Sequence, residues 1–349
     1  MSEEYITLDG LCQQLSISRA TGRNWLRLGK IESQGIDLAG QVYFTEEYVS
    51  NLKQSLETGE RRSLRSRRNK RYVSGKGLYD RYVSDICEST DTVKSLVDKL
   101  ERQNICVTEM VMRTLLADCA LKLLVSSGEI TVDREIFPAY IDGSLTIGVW
   151  SALIDDIIQD KKAALSWANN NKNLMDTNYY YQKGEDVLGL LYMSIRDAGS
   201  RKAAGSYYTP TKVVRTLISD VTGDMGSRIS EGGKRLFDPC CGTGNFLIQL
   251  PDDIELNNIY ACDIDELSVQ LARFNLALGR LSGRRHVNVD EAIWTIYEHI
   301  ERRDFISEYR NDSECGGDDK KLLADPGYDI IIGNPPWGYT FDRETRTLL

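Results

Sequence analysis

The segment Lys234–Pro251, KRLFDPCCGTGNFLIQLP, decides the fold of the second half of this chain of 349 residues. Its apolar start predicts a short strand that ends at Phe237, and the turn Gly242-Thr243-Gly244 leads into a predicted helix that begins near Asn245. A strand, a glycine turn and a helix form the first half of a nucleotide-binding unit, because glycines let the backbone approach a ligand closely. The segment therefore predicts an α/β fold with a ligand site at the glycine turn.

A second predicted strand, NIYACDID, places an acidic side chain near that turn. It delivers Asp263 nineteen residues after Gly244, a distance at which a carboxylate can bind both hydroxyls of a ribose. Leu247 stands where a dinucleotide fingerprint needs its third glycine, which disfavours NAD. A ligand that carries an amino acid in place of a pyrophosphate does not need that glycine.

The stretch YDIIIGNPPWG, Tyr328–Gly338, predicts a buried strand over 328–332, whose continuous apolar run suits a parallel sheet covered on both faces. Pro335 and Pro336 stop the pairing, and Pro335 biases Asn334 away from helical angles. The Asn334 amide and the Pro335 carbonyl can then face one point, which suits a primary amine. Trp337 offers a surface on which a base can stack, worth about 1–3 kcal/mol. The alternative is a rigid turn at a strand end with a core tryptophan.

These motifs together carry a family resemblance. DPCCGTGNFL resembles the S-adenosylmethionine motif of amino-methyltransferases, GSYYTP lies ahead of it, and RRDFIS supplies Asp304 and Phe305 where a third strand should end. The order is similar to that of the gamma-class N6-adenine DNA methyltransferases of type I and type IIG restriction-modification systems, over about residues 185–345. The resemblance implies a Rossmann-like, S-adenosylmethionine-dependent domain that methylates the exocyclic amine of an adenine flipped out of double-stranded DNA.

The resemblance also implies roles for individual residues. Asp263 would hold the ribose, and Ile264 would pack on the cofactor adenine. The residues expected to bind the cofactor are Tyr208, Thr209, Pro210, Asp238, Cys240, Gly242, Gly244, Asp263, Ile264, Asp304 and Phe305. Those expected to receive the target adenine, and so to be catalytic, are Asn334, Pro335, Pro336 and Trp337. Orientation and electrostatics fixed in advance would supply most of the acceleration, so a metal is not expected.

The first 55 residues resemble the small winged helix-turn-helix of MerR and excisionase proteins. Two short helix patterns flank a turn at 16–18, and GQVYFTEEYVSNL then predicts a strand and a helix capped by Thr45. The resemblance implies DNA contacts by Arg19, Thr21 and Arg23. A helical hairpin that only packs on its neighbour or on protein is the alternative.

Charge is unevenly spread along the chain, whose net charge is -9. Residues 1–80 hold 13 Lys and Arg against 10 Asp and Glu, and seven of the basic residues lie within 61–71. Basic side chains that neutralise phosphates supply most sequence-independent affinity for DNA. Five arginines of this segment are therefore predicted to contact DNA, with a solvated linker as the alternative: Arg61, Arg62, Arg65, Arg67 and Arg68.

We expect three domains: 1–75, the winged helix-turn-helix with the Arg-rich segment; 76–204, a helical domain interrupted at Pro138 and near Gly143; and 205–349, the first half of the methyltransferase domain.

Relatives continue the sheet beyond the Asn-Pro-Pro-Trp motif, whereas twelve residues follow it here. The expectation is a truncated product, or one half of a split enzyme that needs a completing polypeptide. No signal-peptide or membrane-span pattern is present, so a cytoplasmic location without a membrane partner is expected.

Two other functions stay open at this point. Methyltransferases that act on protein glutamine or on RNA adenine share Asn-Pro-Pro-aromatic, although the Tyr-Tyr-Thr-Pro segment and the helix-turn-helix pattern argue against them. A DNA-binding or regulatory protein that retains a non-catalytic relic of the methyltransferase fold is the alternative outside enzymes.

Overall fold

A computed structural model describes residues 5–15, 19–27, 31–36, 42–58, 82–196, 209–223, 233–284, 288–305 and 327–335. The chain divides into two compact units, Met1–Val73 and Ser74–Leu349. Within the described ranges, no helix has the length and hydropathy that a membrane span requires.

The N-terminal unit is a small α/β structure. Its elements are β1 (Tyr5–Thr7), α1 (Leu8–Gln14), α2 (Arg19–Arg27), β2 (Gly35–Ile36), β3 (Val42–Thr45) and α3 (Glu46–Thr58). The three strands form an antiparallel sheet in the order β1-β3-β2, over a core that includes Leu11, Trp25 and Phe44. The predicted strand and helix are present. Thr45 caps the helix, since the Tyr48 N–H donates to Thr45 Oγ1 at 3.3 Å. The predicted turn at 16–18 lies outside the described residues, and the winged helix-turn-helix stays a prediction.

The described part of the larger unit is largely helical. In order, its helices are α4 (Thr90–Arg102), α5 (Glu109–Ser126), α6 (Ile136–Ile141), α7 (Trp150–Ile158), α8 (Lys161–Asn170), α9 (Lys172–Met175), α10 (Val187–Ile195), α11 (Thr211–Gly223), α12 (Glu266–Leu281) and α13 (Val289–His299). The expectation that Pro138 interrupts the helical pattern is wrong. It lies in the first turn of α6, where a proline is tolerated because its missing N–H would have no partner in the helix.

Four parallel strands form the sheet of this unit. They are β4 (Leu236–Asp238), β5 (Ile259–Asp263), β6 (Ile300–Arg302) and β7 (Ile330–Ile331), in the order β6-β5-β4-β7. Helix α12 follows β5 and packs on both the sheet and the helices, since its Phe274 ring lies 6.2 Å from that of Trp150 in α7. One hydrophobic core therefore joins the helices to the sheet.

The helix predicted to begin near Asn245 is wrong. The structure has turns there and a short 3-10 helix, Leu247–Gln249, followed by another at Leu256–Asn258. Pro251 explains the difference, because it lacks the N–H that would extend a helix, and Leu250 before it is extended with ψ 141°. Too few residues separate the glycine turn from this proline for an α-helix to form.

The predicted burial of 328–332 is also wrong. Strand β7 is shorter than expected and lies at the edge of the described sheet, paired with β4 alone. Its Ile330 is half-buried, whereas Ile331 is 64% exposed. An apolar run is compatible with burial on both faces, but it does not determine whether neighbouring elements cover the strand.

Candidate functional site

The carboxyl ends of the four parallel strands meet at one edge of the sheet. Asp238 ends β4, Asp263 ends β5, Asp304 follows β6, and Asn334 follows β7. Ligands of open α/β sheets bind in the crevice outside the carboxyl ends of the strands. The topology thus brings together residues that are far apart in the sequence.

The glycine turn has a conformation that requires its glycines. Gly242 and Gly244 have φ values of 53° and 88°, in the left-handed region that side chains disfavour. A Cβ atom at position 244 would lie 3.1 Å from the Cα atom of Ala272 in α12. The absence of a side chain therefore allows both the turn itself and the close approach of α12.

Two backbone N–H groups hold the Asp263 side chain in one orientation. Asp263 Oδ2 accepts from the Gly242 N–H, and Oδ1 accepts from the Asp265 N–H, both at 2.9 Å. Burial raises the pKa of the Asp263 carboxyl, while these two hydrogen bonds oppose that rise. Each oxygen retains a further lone pair, so the carboxylate can accept from two hydroxyls at once.

Asp238 is fully buried, and only one of its two carboxyl oxygens has a hydrogen-bond partner among the described residues. Its Oδ1 accepts from the Cys240 N–H at 3.1 Å, whereas Oδ2 has no hydrogen-bond partner within the described part of the chain. Burial raises the pKa of this carboxyl to about 8, and the neighbouring Asp263 adds to the rise. Burial therefore favours the protonated carboxyl, which can donate a hydrogen bond as well as accept one.

Gly333 brings the segment after β7 onto Asp238. A Cβ atom at position 333 would lie 2.4 Å from Asp238 Oδ1 and 3.4 Å from Pro239 Cδ, so only glycine fits. Asn334 is thereby placed next to the residue that ends β4. The sequence prediction missed Gly333, although its place between an apolar strand and Asn-Pro-Pro was a usable signal.

The Cys240 thiol lies among three carboxyl groups. Burial raises its pKa to about 12, and Asp238, Asp263 and Asp304 add to the rise in that order. The strand predicted before Asp304 is present as β6, directly after α13.

The hydrophobic residues of the predicted site differ in exposure. Phe305 packs on Phe237 of β4, with ring centroids 5.2 Å apart. Ile264 is 57% exposed directly after Asp263, so its side chain is accessible for packing against a ligand.

Asn245 joins the Thr209-Pro210 segment to the glycine turn. Its Nδ2 donates to the Thr209 carbonyl at 2.9 Å, and Thr211 Oγ1 donates to its Oδ1 at 3.2 Å. Helix α11 begins directly after Pro210. The sequence prediction missed this contact, which places Thr209 and Pro210 beside the turn.

The other predicted residues belong to the N-terminal unit or lie outside the described ranges. Arg19 of the N-terminal unit forms an ion pair with Asp9 at 2.7 Å, and both side chains are exposed. Arg23 is exposed on α2, and only the backbone of Thr21 is described. The predicted residues outside the described ranges are Tyr208, Pro336, Trp337, Arg61, Arg62, Arg65, Arg67 and Arg68.

Buried Asp186, directly before α10, is a further residue that the sequence prediction missed. It accepts hydrogen bonds from Thr243 Oγ1 and Tyr82 Oη, both at 2.5 Å, and from Asn275 Nδ2 at 2.8 Å. A single acidic residue ahead of an apolar helix indicates an N-cap, and nothing in the sequence indicates contacts over such separations.

The described residues contain no cluster of His, Cys, Asp and Glu that could hold a metal ion.

Comparison with known proteins shows a similarity to DNA methylases over the second half of the chain. Residues 183–348 match the N-6 DNA methylase family, so this part of the chain is N6-adenine methylase-like, which confirms the resemblance of the motif order at that level. The chain is 26% identical over 220 residues to the type II methyltransferase M.VspI of Vibrio sp. (strain 343), covering 63% of this chain and 46% of that protein. Over 169 residues it is 25% identical to the type I restriction enzyme EcoEI methylase subunit of Escherichia coli, covering 48% and 31%.

The chain spans less than half the length of these curated relatives. Among solved structures, a DrdV–DNA complex matches with 15% identity and a TM-score of 0.29, covering 70% of this chain and 27% of that one. The gamma class and the winged helix-turn-helix remain predictions.

Proposed function

We propose that the chain is part of an S-adenosylmethionine-dependent DNA adenine N6-methyltransferase of a restriction-modification or related defence system. The observation that carries the proposal is the contact of Gly333 with Asp238, where an added Cβ would lie 2.4 Å from Oδ1. This contact brings Asn334, a candidate acceptor for the target amine, beside the glycine turn that would bind the methyl donor. The family match over 183–348 supports the same conclusion.

The residues at the sheet edge suit S-adenosylmethionine. The oriented Asp263 carboxylate would accept from both ribose hydroxyls, and exposed Ile264 would pack on the adenine of the cofactor, which Asp304 and Phe305 would also contact. Asp238 has a buried oxygen without a hydrogen-bond partner in the described structure, which a polar group of a ligand could satisfy.

The methionine end of the cofactor would lie between the glycine turn and the Tyr208-Thr209-Pro210 segment. When bound, the cofactor supplies a methyl group on a sulfonium, which is transferred to the target amine.

Asn334 and Pro335 would orient the target. The Asn334 side-chain oxygen and the Pro335 carbonyl would each accept one hydrogen of the adenine amine, which makes the nitrogen lone pair more available for attack. Pro336 would stiffen this segment, and Trp337 would stack on the flipped base. The rate gain would come from holding the nitrogen in line with the methyl group and from dipoles fixed in advance.

DNA and a further polypeptide segment are the proposed partners. The N-terminal unit would bind double-stranded DNA as a winged helix-turn-helix through Arg19, Thr21, Arg23 and the Arg-rich segment. Strand β7 is at the edge of the described sheet and Ile331 is 64% exposed. We propose that additional polypeptide completes the sheet at this edge, because exposed apolar edge strands are prone to aggregation.

Calorimetric titration of S-adenosylmethionine into the full chain tests the cofactor assignment. We expect micromolar binding by the wild type and by Asp290→Ala, an exposed control in the first turn of α13, and no binding by Asp263→Ala. A folded wild type that binds DNA in a salt-dependent way but binds no cofactor would refute the proposal and support a DNA-binding protein with a non-catalytic relic.

Transfer of a tritiated methyl group to adenine in duplex DNA tests the catalytic assignment. The assay is performed on the chain together with the polypeptide that completes it, if the chain alone is inactive. We expect Asn334→Ala to bind the cofactor like the wild type and to lose transfer by roughly 100-fold or more. Loss of cofactor binding in this variant would show that Asn334 has a structural role.

A further inference from the structure

Helix α10 contacts both walls of the candidate cofactor site, namely the glycine turn and the turn after β5. All nine of its residues, Val187–Ile195, are buried, and a polar group at each end reaches a different loop of the sheet edge. Asp186 at its amino end reaches the glycine turn, while Tyr192 and Arg196 near its carboxyl end reach the turn after β5.

The amino end holds Thr243, the residue between the two glycines of the turn. Thr243 Oγ1 donates to Asp186 Oδ2 at 2.5 Å, and Asn275 Nδ2 bridges Asp186 Oδ1 and the Thr243 carbonyl at 2.8 and 2.9 Å. Gly189 in α10 makes the contact sterically possible, because a Cβ there would lie 2.4 Å from Thr243 Oγ1. Asp186 thus holds the side chain of Thr243 directly and its backbone carbonyl through Asn275.

The carboxyl end holds Asp265, which in turn orients Asp263. Tyr192 Oη and Arg196 Nη1 both donate to Asp265 Oδ2, the second at 3.0 Å, and Ser268 Oγ donates to the same oxygen at 2.9 Å. The backbone N–H of Asp265 then donates to Asp263 Oδ1 at 2.9 Å. Tyr192 is therefore two hydrogen bonds away from the carboxylate expected to bind the ribose.

Apolar packing alone does not explain these contacts. Asp186 is fully buried, and burying a carboxylate is unfavourable unless hydrogen bonds satisfy it. An apolar helix would pack on the sheet without carboxylate contacts at either end. Polar contacts to two separate loops instead fix the distance and the angle between those loops, which a site for a rigid ligand needs.

We propose that Asp186, Tyr192 and Arg196 are positioning residues, through which α10 sets the separation of the glycine turn and the ribose-binding carboxylate. The inference rests on the proposed function, since the residues act through those expected to bind the cofactor. Tyr192 and Arg196 act on the ribose end, and Asp186 acts on the turn between Gly242 and Gly244.

The first experiment compares two ligands in calorimetry with the full chain. S-adenosylhomocysteine carries both ribose hydroxyls, whereas its 2′,3′-dideoxy analogue has none for Asp263 to bind. Tyr192→Phe removes the hydroxyl that holds Asp265. Tyr297→Phe is the matched control, because it removes a tyrosine hydroxyl that donates to a carboxylate, Asp156, at 2.6 Å between α13 and α7.

We expect Tyr192→Phe to weaken binding of S-adenosylhomocysteine about tenfold, the usual effect of losing one hydrogen bond to a charged group, and to change binding of the dideoxy analogue by less than about twofold. The control should bind both ligands like the wild type. Equal weakening for both ligands would indicate general loosening of the fold, and unchanged binding would also overturn the inference. A folded wild type that binds neither ligand would overturn the proposed function, and the inference with it.

The second experiment tests the other end of the helix with a conservative rescue. Thr243→Val removes the hydroxyl that donates to Asp186, whereas Thr243→Ser retains it. We expect roughly tenfold weaker binding of both ligands for the valine variant and less than about threefold for the serine variant. Melting temperatures identify any variant that fails to fold. Wild-type affinity in a folded Thr243→Val would overturn the role of the amino end.

Discussion

Replacing Asp238 by asparagine removes a titrating group from the centre of the candidate site. Asp238 is fully buried at the end of β4, and burial raises the pKa of its carboxyl from 3.8 to about 8. The Cys240 N–H, which donates to Asp238 Oδ1 at 3.1 Å, can donate equally to an amide oxygen. The substitution therefore changes the charge chemistry while keeping the shape and the observed hydrogen bond.

The sign of the pH effect follows from the direction of the shift. Between about pH 4 and pH 8 the folded protein holds a proton on Asp238 that the unfolded chain has released, so the free energy of unfolding falls as pH rises through this window. Each pH unit contributes about 1.4 kcal/mol, which amounts to about 4 kcal/mol between pH 5 and pH 8. The asparagine variant lacks this contribution. The stability of the variant relative to the wild type should therefore rise by about 4 kcal/mol between pH 5 and pH 8.

Urea unfolding at pH 5, 6, 7 and 8, followed by circular dichroism without cofactor, measures the difference. Comparing the variant with the wild type at each pH cancels the titration of the groups that do not interact with Asp238. Asp133→Asn serves as a control at an exposed position, and its stability should follow the wild type closely across the range. Parallel curves for Asp238→Asn and the wild type would show that the Asp238 carboxyl is ionised in the folded protein, against the reasoning from its burial.

Two further predictions concern the glycine turn and a buried ion pair. Gly143→Ala should lower the free energy of unfolding by roughly 1 kcal/mol, because residue 143 has a positive φ, and Gly244→Ala should lower it by at least twice as much. Position 244 also has a positive φ, and in addition its Cβ would lie 3.1 Å from the backbone of Ala272. Equal losses for the two variants in urea unfolding would contradict this. Lys122→Met removes the ammonium 2.6 Å from buried Asp118, so it should cost about 3 kcal/mol at pH 8 and clearly less at pH 5. At pH 5 the Asp118 carboxyl, whose pKa burial raises to about 6, can bind a proton instead, and a loss independent of pH would refute the argument.

Some elements could be predicted because their signals are local. The strand before Asp238 and the cap at Thr45 each depend on a few adjacent residues, and both are present. The helix expected near Asn245 is wrong because Pro251 follows the glycine turn too closely for an α-helix to form between them. Strand β1 was not predicted at all, since Tyr5–Thr7 becomes a strand only by pairing with β3.

Residues of the candidate site were predictable to different degrees. Asp238, Asp263 and Asn334 each stand at the end of an apolar run, a position that marks the carboxyl end of a strand. Gly333 also directly follows an apolar run, but its close approach to Asp238 and the contacts of Asp186 depend on what another part of the chain places against them.

The sequence by itself determined the order of the motifs, and through it the resemblance to N6-adenine methylases and the identity of the acidic and amide side chains at the strand ends. These properties are local, because a glycine turn or an Asn-Pro-Pro segment restricts its own backbone. Only the tertiary structure decided the strand order β6-β5-β4-β7, the exposure of Ile331 and the burial of Asp238. Strand pairing and burial depend on contacts between residues far apart in the chain, so the pKa of Asp238 and the contacts of α10 with both walls arise only once the sheet and the helices have packed together.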